Sequence, residues 1–360
     1  MFRINKSNIV IHLVCAARPN FMKIAPLYHS LKNENWCSAQ IVHTGQHYDY
    51  QMSQAFFDDL KLPSPHYHLG VGSGSHAEQT AQTMIAYEKL CLGQSNPDLV
   101  IVVGDVNATL ACSVAAKKLN LKVAHLEAGL RSFDRTMPEE VNRVITDSIS
   151  DYHLIPSKDA DENLLHEGIK PEQIYFVGNI MIDSYCIMKG KIKRKEIYKK
   201  FGLNKQKYIV LTLHRPTNVD SEEYLASILE KISFINKQVV FPVHPRTKKK
   251  IENIESISKN IILVDPLGYI DFMSLVMNAA YVISDSGGIQ EETTYLGIPC
   301  FTLRDTTERS VTITLGSNQL VNVDNLLDKI KYPKSGSVPL LWDGNTAGRI
   351  KNIIEQEFLI

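Results

Sequence analysis

Four carboxylates in the first half of the chain stand where chemistry could use them. Asp105 closes the run "VIVVGD", Glu127 closes "KVAHLE", and Glu139 and Glu140 follow Pro138 in "RSFDRTMPEEVNR". Two or three carboxylates converging on a dry site raise one another's pKa, which suits general acid and base work. A second reading of Glu139 and Glu140 needs no chemistry, because acids just after a proline at a helix start complement the helix dipole. In the second half, His214 ends "YIVLTLHR", and a histidine there is either catalytic or structural. Arg304 and Arg309 in "RDTTERS" are spaced to clamp an anion or are ordinary surface arginines. In "SDSGGIQEE" a strand runs through Gly287 and Gly288 into a helix start, a natural phosphate seat of unpaired N–H groups and helix dipole. Glu291 and Glu292 crowd that same turn. The stretch has no GxGxxG and no GK[ST] follows, so it is neither a dinucleotide fingerprint nor a Walker loop.

The elements that must position these groups repeat regularly. Apolar runs recur as "NIVIHLVCAA", "AQIVHTG", "PDLVIVVGD", "KVAHLEAG", "DYHLIP" and "IYFVGN". The series then restarts with "YIVLTLHR", "QVVFPVHP", "IILVDPLG", "YVISDSGG", "IPCFTLRD" and "QLVNVD". Continuous rather than alternating apolar character indicates strands covered on both faces, with helix-length segments between them. The pattern predicts two consecutive parallel α/β sheets, and 360 residues suit two domains. The rhythm breaks in "MIDSYCIMKGKIKRKEIYKKFGLNKQK", read as a solvated helix or linker face. Open parallel sheets bind ligands outside the carboxyl ends of their strands. Two such edges facing each other would form a cleft with acids on one wall and anion-binding groups on the other.

Composition narrows the partners. Lys+Arg and Asp+Glu both number 39, so no net field holds nucleic acid or an anionic membrane; a small molecule is expected. Six cysteines without a CxxC pair read as reduced core thiols of a cytoplasmic protein. The start "MFRINKSNIVIHLVCAARP" has the outline of a secretory signal, yet a buried first strand explains the same letters. No apolar stretch approaches the roughly 20 residues that cross a bilayer. The histidines lack HExxH and the aspartates lack metal-ligand spacing, so no metal is expected.

Eight stretches together carry a resemblance. "ARPNFMKIAPL", "HTGQHYD", "VVGDVNATL", "HLEAGLRSFDRTMPEEVNR", "LHRPTNVD", "DPLGYIDF", "SDSGGIQEE" and "RDTTERS" resemble, in order and spacing, the non-hydrolysing UDP-N-acetylglucosamine 2-epimerases over nearly the whole chain. The resemblance implies GT-B architecture: an α/β fold of two Rossmann-like parallel-sheet domains with the active site in the cleft between them. It places an N-terminal domain at 1–178, completed by a C-terminal helix at 345–360, and a UDP-binding domain at 179–344. It implies Asp105, Glu127 and Glu139 as catalytic acids and His214 as the catalytic histidine beside the departing UDP. Arg18 and Lys23 would lie near the sugar nucleotide, with Phe272 beside the uracil. Ser286, Gly287 and Gly288 would bind phosphate, Glu292 the ribose hydroxyls, and Arg309 a further anionic group.

The implied reaction interconverts UDP-N-acetylglucosamine and UDP-N-acetylmannosamine by eliminating UDP to a 2-acetamidoglucal and adding it back, for surface polysaccharide precursors. It needs no cofactor, and the resemblance implies a homodimer. Two alternatives share the same nucleotide grip: epimerisation of a modified sugar such as UDP-2,3-diacetamido-glucuronic acid, and hydrolysis that releases N-acetylmannosamine and UDP. A glycosyltransferase of this fold would not need the three acids. Leu267 stands where some relatives have a polar residue, and the chain departs from the family's pattern in two further places. "AARPN" stands where many members read GTRPE, so Asn20 replaces a glutamate. Gln46 and His47 match an allosteric pair, but Glu78 stands in "SGSHAEQTAQ" where an arginine would complete that site.

Overall fold

The computed structural model describes residues 8–45, 57–254 and 257–359, and the chain divides into two compact units. The first comprises Met1–Ile187 and Leu340–Ile360. Its strands are β1 (Ile9–Cys15), β2 (Cys37–His43), β3 (Tyr67–His68), β4 (Leu99–Val103), β5 (Lys122–Leu126), β6 (Tyr152–Ile155) and β7 (Ile174–Phe176). They pair in parallel in the order β3-β2-β1-β4-β5-β6-β7. Every residue of β4, "LVIVV", is buried, as expected of a strand covered on both faces. The apolar run near the N-terminus is the interior strand β1, paired on both edges. From β1 the chain winds outward to β2 and β3, then returns to β1's other edge as β4. The segments leaving β1 and β4 therefore diverge and open a crevice at their carboxyl ends.

The second unit, Met188–Pro339, repeats the plan. Its strands are β8 (Tyr208–Thr212), β9 (Gln238–Pro242), β10 (Ile261–Val264), β11 (Val282–Ser284), β12 (Cys300–Leu303) and β13 (Asn318–Val321). They are parallel in the order β10-β9-β8-β11-β12-β13, so the crevice falls between β8 and β11. The helix Glu222–Ser233 shows how the core is built. Leu225, Ile228, Leu229 and Ile232 recur at helical spacing, are all buried, and pack with Ile209, Phe241, Ile283 and Phe301 of the sheet. Ser221 caps that helix by accepting the Tyr224 N–H at 3.2 Å. Both predicted parallel sheets are present, and the fold is the two-Rossmann-unit α/β class of GT-B proteins. The two-residue strand β3 has no apolar run to announce it.

The lysine-rich break is the helix Ile180–Lys195, followed by a short 3-10 turn at Ile197–Phe201. Exposed side chains predominate from 189 to 195. Among the described residues no helix is long and apolar enough to cross a membrane. Cys15 and Cys300 lie buried in β1 and β12.

The last helix, Thr346–Leu359, belongs to the first unit. Trp342 donates its indole N–H to the Pro156 carbonyl at 3.0 Å, and Lys351 meets Glu34 at 2.8 Å. The buried Asp183 carboxylate accepts the N–H groups of Thr346 at 3.2 Å and Ala347 at 2.8 Å, so it supplies two donors at the helix start with an acceptor. Asp183→Ala should therefore lower stability by about 1–3 kcal/mol, read as a lower urea midpoint at unchanged slope. Asp183→Asn, which keeps one acceptor oxygen, should cost less.

Candidate active site

The first unit gathers its chemistry at the β1/β4 crevice. Lys23, on the helix Arg18–Leu31 that follows β1, places Nζ 2.6 Å from Glu127 Oε2, with both side chains almost fully buried. Lys23, expected beside the nucleotide, thus balances one of the acids. A charge pair so deeply desolvated needs close geometry to offset the loss of hydration, and several features supply it. Gly104 has a φ of +66°, and a Cβ there would lie 2.9 Å from Lys23 Nζ, so glycine clears the ammonium's path. Asn20 accepts the Ala16 and Ala17 N–H groups at 3.2 and 2.9 Å and donates to the Val103 carbonyl at 3.3 Å. It joins the start of Lys23's helix to the end of β4. Glu127 itself has a φ of +71°, a conformation that costs a non-glycine residue about 1–3 kcal/mol. Among the described residues its Oε1 is buried without a hydrogen-bond partner, an acceptor left for a ligand donor.

Asp105 is partly exposed two residues past β4, and Arg143 Nη2 meets its Oδ2 at 2.7 Å. Its backbone carbonyl accepts from Asn142 Nδ2 at 2.9 Å. Arg143 and Asn142 lie on the helix Pro138–Ile149. Glu140, one of the four candidate acids, is buried. It accepts from Ser132 N, Ser132 Oγ and Phe133 N at 2.9 to 3.1 Å and pairs with Arg143. Its oxygens are engaged in fixing the 132–133 loop, so its role is structural. Glu139 is exposed in the first turn of that helix. Glu127 and Asp105 thus each meet a cation. Arg143 was missed, although its spacing of three from Glu140 on a helix is the signal that could have found it.

The second unit gathers its chemistry at the β8/β11 crevice. His214 Nδ1 lies 2.7 Å from Asp285 Oδ1, with the histidine more than half exposed and the aspartate fully buried. Asp285 also accepts the N–H groups of His214 at 3.1 Å and Arg215 at 2.9 Å, and Asn218 Nδ2 at 3.0 Å. Burial alone would push this carboxyl up, but the His214 ring, Asn218 and the Arg215 N–H hold it below the usual range. The contact fixes a proton on His214 Nδ1 and turns Nε2 to any ligand. Asp285 lies inside "SDSGG", and only the fold reveals that it orients a histidine 71 residues earlier.

Gly287 and Gly288 open the helix Gly287–Leu296, where N–H groups lack intrahelical acceptors. A Cβ on Gly287 would lie 2.6 Å from Arg309 Nη1, whereas one on Gly288 would meet nothing within 4 Å. Ser286 donates its N–H to Ser284 Oγ at 3.0 Å. Arg309 pairs with Glu308 and meets Glu291 at 3.1 Å, and Arg304 meets Glu308 at 2.8 Å. Glu291 is therefore a buried counter-ion to Arg309. Glu292, one turn into the helix and buried, accepts the Tyr269 hydroxyl at 2.6 Å. Phe272 is half-buried on the same helix as Tyr269.

The Arg18 side chain, Gln46 and His47 lie outside the described residues. Glu78 completes a capping box with Ser75, accepting the Ser75 N–H at 2.8 Å while Ser75 Oγ accepts the Glu78 N–H. Among the described residues no group of His, Cys, Asp and Glu could hold a metal ion.

A family profile described as UDP-N-acetylglucosamine 2-epimerase matches residues 29–355. A UDP-N-acetylglucosamine 2-epimerase homolog of Methanococcus maripaludis is 43% identical over 353 residues, 95% of this chain and 98% of that protein. A UDP-2,3-diacetamido-2,3-dideoxy-D-glucuronate 2-epimerase of Pseudomonas aeruginosa is 39% identical over 314 residues, 86% of this chain and 87% of that one. Among solved structures, the Methanocaldococcus jannaschii UDP-GlcNAc 2-epimerase in complex with UDP-GlcNAc and UDP superposes with a TM-score of 0.87 at 40% identity, covering 97% of this chain and 100% of that one.

One buried carboxylate beneath the acids sets a pH limit. Burial would raise Asp147, but His125, Arg131 and the Gly129 N–H hold it down to about 2. A carboxyl held low in the folded state contributes stability that is complete above its unfolded value near 4 and is lost as pH falls through about 2. Urea midpoints should fall across that window, and Asp147→Asn should lower stability at pH 7 while flattening the acid decline.

Proposed function

Because the chain belongs to the UDP-N-acetylglucosamine 2-epimerase family, we propose that it interconverts UDP-N-acetylglucosamine and UDP-N-acetylmannosamine without net hydrolysis. The observation that carries this reading is the pairing of two kinds of strand-end chemistry. A buried Lys23–Glu127 pair stands with Asp105 at one crevice, and a glycine turn with Glu292 and His214 stands at the other. A protein that merely held the nucleotide would have no use for the first set.

The chemistry requires both sets. The hydrogen on carbon 2 of the sugar has no carbonyl placed to acidify it, so simple deprotonation is blocked. As a carboxylate takes that hydrogen, the C–H electrons form a double bond between carbons 1 and 2. The electrons of the bond from carbon 1 to oxygen leave with UDP, giving a 2-acetamidoglucal. The return step delivers a proton to the opposite face of carbon 2 while UDP oxygen adds to carbon 1. Asp105, Glu127 and Glu139 handle the protons. Charge growing on the departing diphosphate is met by the Gly287 and Gly288 N–H groups, His214 and the arginines Arg18 and Arg309. Lys23 balances the Glu127 charge and lies near the sugar. Glu292, held by Tyr269, takes the ribose hydroxyls, Ser286 borders the phosphates, and Phe272 flanks the uracil. The working form is a cytoplasmic homodimer supplying surface polysaccharide precursors.

A second reading keeps the reaction and changes the sugar to UDP-2,3-diacetamido-glucuronic acid. It is favoured by the 39% identity with the Pseudomonas aeruginosa enzyme. Proton NMR in deuterium oxide, run on both UDP-sugars side by side, separates the two. The proposal expects deuterium at carbon 2 as the manno isomer of UDP-N-acetylglucosamine accumulates. Absence of both would sink it, and accumulation of free sugar would mean hydrolysis instead. Asp105→Asn should lower turnover by on the order of a hundredfold or more while UDP affinity, measured by calorimetry, stays within about twofold.

A further inference from the structure

His125, on β5, is fully buried, and no step of the reaction uses it directly. Its Nδ1 lies 2.5 Å from Asp147 Oδ1, and its Nε2 lies 2.8 Å from the Gly104 carbonyl oxygen. The Gly104 carbonyl can only accept, so Nε2–H donates to it. Asp147 is kept ionised as partner by Arg131 Nη1 at 2.7 Å and by the Gly129 N–H at 3.0 Å. Arg131 in turn grips Glu167 through two bonds of 2.8 and 2.6 Å, and His153 Nε2 holds the Asp147 carbonyl at 2.7 Å. The Arg131–Asp147 ion pair is thus buried in one hydrogen-bonded network with His125 and His153. Apolar side chains of similar volume would stabilise a core at least as well, so stability alone does not explain the arrangement.

Its placement does. Gly104 is the residue immediately before Asp105, and its own N–H donates to the Leu126 carbonyl at 3.1 Å. With Gly104 bonded on both sides, the direction in which Asp105 leaves β4 is set, and so is the clearance over Lys23. Asp147 sits on the same helix that carries Arg143 to Asp105. One histidine therefore ties the peptide before Asp105 to the helix whose arginine grips the Asp105 carboxylate. We propose that His125 is a positioning residue, holding the Gly104 carbonyl through Nε2–H so that Asp105 and the Lys23–Glu127 pair keep their relative placement during proton transfer.

This rests on the epimerase reading, and wild-type enzyme run in parallel separates the two. If wild type exchanges no carbon-2 hydrogen, the reading itself fails. If it does, two substitutions test His125. His125→Asn can still donate to Asp147 but cannot reach Gly104, whereas His125→Gln places its amide nitrogen near the position of Nε2. His125→Asn should lower kcat for carbon-2 exchange by on the order of ten- to a hundredfold, with KM and UDP affinity within about twofold of wild type. His125→Gln should recover most of that loss. A His125→Asn enzyme with kcat within about twofold of wild type, or a His125→Gln enzyme no faster than it, overturns the proposal. If neither variant folds, Asp147→Asn decides. It keeps the Gly104 bond, so kcat within about threefold of wild type supports the proposal, and a tenfold loss overturns it.

Discussion

Lys23 and Glu127 face each other at 2.6 Å where water scarcely reaches, and the surroundings of the β1/β4 crevice follow from that pair. A lone buried ammonium or carboxylate would be prohibitive, so the two must arrive together from elements 104 residues apart in sequence. Glycine at position 104 removes the Cβ that would meet the ammonium. Asn20 locks the start of the lysine's helix to the end of β4. Glu127 accepts a left-handed backbone, strain of the kind found where structure serves a ligand.

The second unit handles charge differently. Among its described residues no close lysine–glutamate couple stands at a strand end. Instead Asp285 organises His214, Arg215 and Asn218 around one carboxylate. Arg304 and Arg309 are held by Glu308 and Glu291 behind the glycine turn. The two glycines of that turn do different jobs. Gly287 is small because the Arg309 guanidinium lies against it, and Gly288 is small with open space beside it, which suits the approach of a diphosphate.

Much of the fold was legible because a strand buried on both faces has to be apolar throughout. β4 and β11 could be marked from their letters, and their carboxyl ends located the residues that could do chemistry. β3, two residues at a sheet edge, carries no such signal. Roles within the site were less legible. Glu139 and Glu140 are chemically identical neighbours, yet one is exposed and the other is enclosed by Ser132, Phe133 and Arg143. Glu291 and Glu292 differ only in their partners, Arg309 for one and Tyr269 for the other. Consecutive helix residues point about 100° apart, and what each then meets is supplied by distant segments.

The sequence by itself determined the α/β class, the two sheets, the strand ends that bear the acids and the glycine turn, because periodicity and turn chemistry are local properties. The long motifs also sufficed for the family. Only the tertiary structure decided which charges became partners: Lys23 with Glu127, Arg143 with Asp105, His214 with Asp285 and His125 with Asp147. Pairing of that kind depends on strand order. A parallel sheet places β1 beside β4 and β8 beside β11, so groups far apart along the chain meet at a single edge.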